Sequence, residues 1–247
     1  MAENIDPVPS EQNQLRREQE DDMTPETWNE RWKQGRAGFH INHVSDMMKD
    51  QKDLLTNGRE GISVFFPMCG KSFDMKWLAD LGYKIIGVEY SEIAITSFFQ
   101  EQKIDYTTQP VDRMSNCTLY KSLDERIKIY QCDIFKISSE ITGQVDAIWD
   151  RGAFNAIMYK ERRKYGEMIL PMMKADTRYL LLTSIYDKSQ MTAPPQCIPI
   201  EEVLEIFGAR CTVQKIAEYD DERDIFKKKG LKWIKIHVHL LTLKIKI

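Results

Sequence analysis

The stretch from Ile62 to Glu89 constrains the fold of this chain more than any other. Ile62-Ser63-Val64-Phe65-Phe66 is a short apolar run, Pro67-Met68-Cys69-Gly70-Lys71 a tight turn, and Phe73 to Leu81 a helical stretch that Gly82 can close. Lys84-Ile85-Ile86-Gly87-Val88 then reads as a second buried strand ending on the acid Glu89. Strand, turn, helix and strand in so few residues predict a βαβ unit, because two parallel neighbours need a crossover between them.

The same grammar continues. A helix is expected from about Ser91 to Gln102, strands over Ile127–Asp133 and Val145–Asp150, a helix over Glu161–Met173 and a strand at Tyr179–Leu182. Three of the strands lead into a carboxylate: Glu89, Asp133 and Asp150. Such alternation selects an α/β fold of three layers, a mostly parallel sheet with helices on both faces. The last quarter departs from it, with a helix over Ile200–Phe207 and two strands, Cys211–Tyr219 and Trp233–Leu243, joined by a charged loop into a closing antiparallel hairpin.

Residues 1–23 are polar, hold Pro7 and Pro9, and offer little apolar area to offset chain entropy, so a flexible tail is expected there. Thr24-Pro25-Glu26 supplies a cap, a first-turn proline and a first-turn acid for a helix running to about Gln34. Residues 24–247 read as one domain. With 35 Lys plus Arg against 38 Asp plus Glu the net charge is −3, which disfavours nucleic acid or an anionic membrane as partner. No apolar run approaches the roughly 18 residues that span a bilayer. Five cysteines without a C-x-x-C pair, and a start lacking signal or transit character, point to a reducing cytoplasmic setting.

Ligands of open α/β sheets bind beyond the carboxyl ends of the strands, where the first turn and the strand-end acids meet. Glu89 lies 19 residues after Gly70, near the spacing at which a carboxylate receives a ribose diol. One glycine is too few for a pyrophosphate cradle, whereas S-adenosylmethionine needs only the acid, one close backbone approach and polar groups for its amino-acid end. Its sulfonium suits aromatic faces such as Trp28, Trp32 or Phe39, each worth about 0.5 to 2 kcal/mol when well placed.

Trp28-Asn29-Glu30-Arg31-Trp32 with Gly38-Phe39-His40, Val64-Phe65-Phe66-Pro67-Met68-Cys69-Gly70-Lys71, Met75-Lys76-Trp77-Leu78-Ala79-Asp80, Gly87-Val88-Glu89-Tyr90-Ser91-Glu92 and Ile148-Trp149-Asp150-Arg151-Gly152-Ala153 together resemble the thiopurine S-methyltransferase family, from about residue 24 to the C-terminus. The resemblance implies a Rossmann-like class I methyltransferase, monomeric and cytoplasmic, that uses S-adenosylmethionine and releases S-adenosylhomocysteine. It places Trp28, Trp32 and Phe39 around the cofactor, Met68 and Gly70 at its methionine end, Glu89 at the ribose and Asp133 and Ile134 by the adenine, with Tyr90 also among the cofactor-binding residues. It makes Arg151 a neighbour of both cofactor and acceptor and Arg223 a second acceptor-side arginine, with Phe39 also touching the acceptor. Met68 stands where the family usually has leucine, Tyr90 where it has an aliphatic residue and Asp133 where it has serine.

The implied chemistry is direct displacement by an acceptor sulfur, with Arg151 and Arg223 favouring the thiolate. A small aromatic or heterocyclic thiol, thiopurines included, is the expected acceptor. Small inorganic nucleophiles (halide, hydrosulfide, selenium or tellurium species) and a cofactor-binding module without turnover are the alternatives. Plainer roles stand beside these: Trp28 and Trp32 as a packed helix face, Asp150-Arg151 as an ion pair, Glu89 and Asp133 as caps of the following helices. Cys69 is read as a packing residue and the pairs His40/His43 and His237/His239 as strand or surface residues, so no metal is expected.

Overall fold

The computed structural model describes residues 23–191 and 194–244. Apart from Met23, the tail expected to be flexible lies outside the described residues.

The predicted first helix is α1, Pro25–Lys33, in which the Thr24 hydroxyl accepts the N–H of Thr27 at 3.3 Å. A helix that the sequence did not announce follows, α2 over Asp46–Thr56. It is mostly polar, and its buried Met48 and Leu55 stand two turns apart on one face. Next come β1 (Ser63–Phe66), α3 (Phe73–Asp80) and β2 (Lys84–Glu89), the expected βαβ unit, and then α4 (Glu92–Glu101). Strands β3 (Tyr106–Pro110), β4 (Thr118–Ser122) and β5 (Ile127–Gln131) precede a short α5 (Ser139–Thr142) and β6 (Val145–Arg151).

After β6 come α6 (Ala153–Ala156) and α7 (Tyr159–Ile169). The helix expected to reach Met173 stops earlier, in a 3-10 turn at Leu170–Met172, because Pro171 cannot continue the ladder. Met173 instead opens β7 (Met173–Ile185), far longer than the four apolar residues that announced it. The chain closes with α8 (Ile200–Phe207), β8 (Cys211–Asp220), α9 (Asp224–Lys228) inside the charged loop, and β9 (Lys235–Leu243), which begins after the half-exposed Trp233.

The sheet order is β3-β4-β5-β2-β1-β6-β7-β9-β8. Its five central strands, β5-β2-β1-β6-β7, are parallel, and β8 with β9 forms the predicted antiparallel hairpin, which joins the sheet through antiparallel pairing of β9 with β7. A second antiparallel pair, β3 with β4, extends the opposite edge. Its outer strand, Tyr106-Thr107-Thr108-Gln109-Pro110, is largely exposed and polar, so it carries almost none of the alternation that marks a half-buried strand.

Side-chain alternation divides the core between the two faces. Phe65, Val88, Ile148, Tyr165, Tyr179 and Phe207 pack on one, while Val64, Phe66, Met75, Ile85, Phe98 and Trp149 pack on the other. The chain passes from β1 outward to β2 and β5, then returns past β1 to β6 and β7. The strand ends around β1 are therefore where such a sheet opens a crevice.

Candidate active site

The turn after β1 is held to the end of β2 by Glu89. One carboxylate oxygen accepts the backbone N–H of Gly70 at 2.8 Å and the other accepts the N–H of Ser91 at 2.8 Å. Burial pushes the Glu89 carboxyl above its ordinary value, against these N–H groups, which favour the ionised form. Each oxygen retains acceptor capacity, as a carboxylate has about four lone-pair sites. Glu89 thus braces the turn and still offers itself to a hydroxyl.

The turn is bent by two residues in the left-handed region, Met68 (φ 43°) and Gly70 (φ 52°). A Cβ on Gly70 would come 3.2 Å from Cζ2 of Trp32, so glycine admits both the bend and the tryptophan. At Met68, which the sequence marks out only by side-chain volume, the unusual feature is the backbone. Cys69 is buried with its thiol pushed well above the ordinary value by burial, an inert setting that agrees with a packing role.

Helix α1 lies across the same strand ends. Tyr90 donates its hydroxyl to Glu26 at 2.8 Å, and Ser91 donates its own to the Asn29 side chain at 2.8 Å. Phe39 packs edge-on against both Trp28 and Trp32, with ring centroids 5.3 Å apart in each case. Beside α1 opens a cleft of about 520 Å³, continuous with solvent and lined by Trp28, Met68, Glu89, Tyr90, Asp133 and Ile134 among others. Asp133 accepts the N–H of Phe135 at 3.0 Å, so the capping role and a place on the cleft wall coincide, as they do at Glu89. Phe135, in a 3-10 turn after β5, Ile157, just after α6, and Glu161 of α7 also line the cleft and went unnoticed in the sequence, since only the tertiary fold brings these three segments together.

Trp32, Phe39, Gly70, Arg151 and Arg223 do not line that cleft. Asp150 and Arg151, which sequence reasoning left as a possible ion pair, point to opposite faces of β6. Asp150 is buried and accepts the hydroxyls of Tyr165 (2.7 Å) and Tyr179 (2.8 Å) and the N–H of Phe154 (3.1 Å). Arg151 faces Asp74, 3.8 Å away. Asp74 was missed from sequence; it is 1 % exposed and also accepts the N–H of Ser45 at 2.7 Å and the indole N–H of Trp149 at 3.2 Å. Burial lowers the pKa of Arg151, Asp74 opposes that, and the charges of Arg223 and Asp221 act on it too.

Arg223 is set by a fork to Asp221, with Nε to Oδ1 at 2.9 Å and Nη2 to Oδ2 at 2.7 Å, and its Nη1 donates to the carbonyl of Phe39 at 3.2 Å. Its guanidinium carbon lies 4.8 Å from the Phe226 ring centroid, over a small core of Tyr186, Phe226, Leu231 and Ile234. The loop from β8 to β9 is thereby tied to the segment after α1. The described residues contain no group of three or more His, Cys, Asp or Glu able to hold a metal, and no helix among them is long and apolar enough to cross a membrane.

The thiopurine S-methyltransferase family model matches residues 23–244. The chain belongs to the thiopurine S-methyltransferase family. It is 39% identical over 217 residues to a Danio rerio protein named probable thiopurine S-methyltransferase, covering 88% of this chain and 94% of that one. The thiopurine S-methyltransferase of Mus musculus is 36% identical over 222 residues, with 90% and 92% covered. Among solved structures, the Burkholderia thailandensis 1,6-didemethyltoxoflavin-N1-methyltransferase, which holds 1,6-didemethyltoxoflavin and S-adenosylhomocysteine, gives a TM-score of 0.59 at 14% identity over 96% of this chain and 93% of that one. At such identity the likeness establishes the fold alone, that of S-adenosylmethionine-dependent methyltransferases. Every thiopurine S-methyltransferase motif quoted from the sequence falls inside the matched residues.

Proposed function

We propose that this protein transfers the methyl group of S-adenosylmethionine to the sulfur of small aromatic and heterocyclic thiols, thiopurines among them. The observation that carries the reading is the family match over residues 23–244. The chemistry of the cleft suits the cofactor: a braced carboxylate with spare acceptor capacity and apolar walls at Trp28, Tyr90 and Ile134, next to the Gly70 turn that Glu89 holds. In this reading Glu89 holds the ribose, Asp133 and Ile134 flank the adenine, Met68 and Gly70 adjoin the methionine end, and Trp28, Trp32 and Phe39 face the sulfonium. Bound there, S-adenosylmethionine supplies an electrophilic methyl carbon.

The protein's own part is to position and to polarise. Arg151 and Arg223 keep positive charge beside the acceptor position and favour its thiolate, while the aromatic cluster excludes water. Asp74 and Asp221 anchor the two guanidinium groups, so little reorganisation is needed when charge shifts during transfer. An aromatic wall favours a flat acceptor over halide or hydrosulfide. The same reading takes residues 24–247 as one domain acting as a cytoplasmic monomer on a small-molecule thiol; the five cysteines, all free, suit a reducing compartment.

Methyl-labelled S-adenosylmethionine incubated with 6-mercaptopurine, thiophenol, hydrosulfide and iodide in parallel tests this. Label in the thiopurine is expected. Label only in the inorganic acceptors would replace the acceptor class, and binding without transfer to any of them would replace catalysis by a binding role. If Arg151→Ala and Arg223→Ala each left kcat/KM for the thiol unchanged, the roles of these arginines would fail.

A further inference from the structure

Nine residues make a helix too short to hold its shape on its own in water, so the position of α1 depends on what it docks against. Only Trp32 of this helix is buried. Glu26 and Asn29, one turn apart on one side of the helix, tie it to the body of the fold through two consecutive residues of the turn after β2, Tyr90 and Ser91. The partners are 64 and 62 residues apart in sequence. Ser91 acts twice: its hydroxyl donates to Asn29 and its backbone N–H donates to Glu89, whose other oxygen takes the N–H of Gly70. One continuous chain of hydrogen bonds therefore runs from α1 through Ser91 and Glu89 to the turn after β1.

We propose that Glu26, Asn29 and Ser91, together with the hydroxyl of Tyr90, are positioning residues that latch α1 over the cleft and hold Trp28 and Glu89 in register for the cofactor. This role rests on the cofactor reading above. The Tyr90 ring belongs to the wall of the cleft, but its hydroxyl is spent on Glu26. That hydroxyl is the leading cause holding the Glu26 carboxyl below its ordinary value, so near neutral pH the acceptor is charged and the bond is of the stronger, charge-assisted kind. Ser91 is buried, so its hydroxyl has no bulk water to turn to when Asn29 is replaced, and the loss cannot be made up locally.

The test combines calorimetry of S-adenosylhomocysteine binding, steady-state kinetics and hydrogen exchange followed on a peptide spanning 25–33. Asn29→Leu and Glu26→Ala, each of which removes the acceptor, are expected to raise the Kd for S-adenosylhomocysteine and the KM for S-adenosylmethionine roughly three- to tenfold, with kcat at saturating cofactor held within about twofold. Exchange in α1 should quicken while α8, which packs on α7 and β8, is unaffected. Asn29→Asp keeps an acceptor oxygen for Ser91 and should restore binding to within about twofold of wild type. Ser91→Ala should combine with Asn29→Leu less than additively, as two halves of one contact do. Unchanged Kd and unchanged α1 exchange in Asn29→Leu and Glu26→Ala, with the wild type binding normally, would overturn the latch. A wild type that does not bind S-adenosylhomocysteine would overturn the cofactor reading itself and this role with it.

Discussion

Glu89 and Gly70 are joined by a 2.8 Å hydrogen bond from the glycine backbone to the carboxylate, so the acid at the end of one strand sets the shape of the turn at the end of its neighbour. Parallel pairing places the two there: Phe66 of β1 lies opposite Gly87 of β2, and each chain then runs on past the sheet edge.

Replacing Glu89 separates bracing from binding. Glu89→Gln leaves one acceptor oxygen for two N–H donors, so either Gly70 or Ser91 faces an amide nitrogen. We expect a loss of about 1 to 3 kcal/mol in stability and at least a tenfold weaker binding of S-adenosylhomocysteine. Calorimetry and urea unfolding measure the two; unchanged affinity would remove Glu89 from the cofactor site.

Gly87 carries the packing of Cys69. A Cβ on Gly87 would sit 2.9 Å from the Cys69 sulfur and 3.3 Å from Cγ1 of Ile129. Gly87→Ala should cost about 1 to 3 kcal/mol by overpacking, and Cys69→Ala in the same chain should recover part of it by removing the sulfur. Urea midpoints of the two single variants and the double variant decide this, and full additivity would show that the sulfur is not the obstacle.

Asp74→Ala strands three donors at once: the Ser45 N–H, the Trp149 indole and Arg151. A destabilisation of about 3 kcal/mol or more is expected. With Arg151 no longer anchored, kcat/KM for a thiol acceptor should also fall in the protein that remains folded, a result read from activity normalised to the near-ultraviolet circular dichroism signal.

His239 is fully buried, donates to or accepts from Thr183 at 3.0 Å, and leaves Nδ1 without a hydrogen-bond partner among the described residues. Burial, with His237 as the next cause, lowers its pKa from 6.5 to about 4. The unfolded chain therefore takes up the proton first: stability present above pH 6.5 is lost as pH falls toward 4, by about 2 kcal/mol at pH 5 from this group alone. His239→Gln should flatten the decline between pH 7 and pH 5 in urea unfolding, and an unaltered slope would show that the loss arises elsewhere. His40, lowered to about 4 mainly by burial, acts in the same direction.

The βαβ unit from Ser63 to Glu89 was legible because it is local: apolar runs, one glycine turn and an acid at fixed spacing all lie within one stretch of chain. The C-terminal hairpin was legible for the same reason. Helix α2 and strand β3 were not, since a polar helix with two buried residues and a polar edge strand carry no strong period. At the site, Glu89 and Asp133 were found as strand-end acids and Tyr90 through the family motif, but the separation of Asp150 from Arg151 onto opposite faces was overlooked although strand periodicity contains it.

Short-range order, then, lies in the residues themselves, because backbone preference and the alternation of apolar side chains act between near neighbours, and the motifs that mark the thiopurine S-methyltransferase family are runs of that kind. The partners of those residues were decided in three dimensions. That Arg151 meets Asp74, that Trp32 rests on Gly70 and that Tyr90 reaches back to Glu26 follow from how buried faces pack once the sheet has formed. Contacts between residues tens of positions apart are selected by shape and by the cost of leaving a buried polar group unpaired, neither of which is written in any single segment.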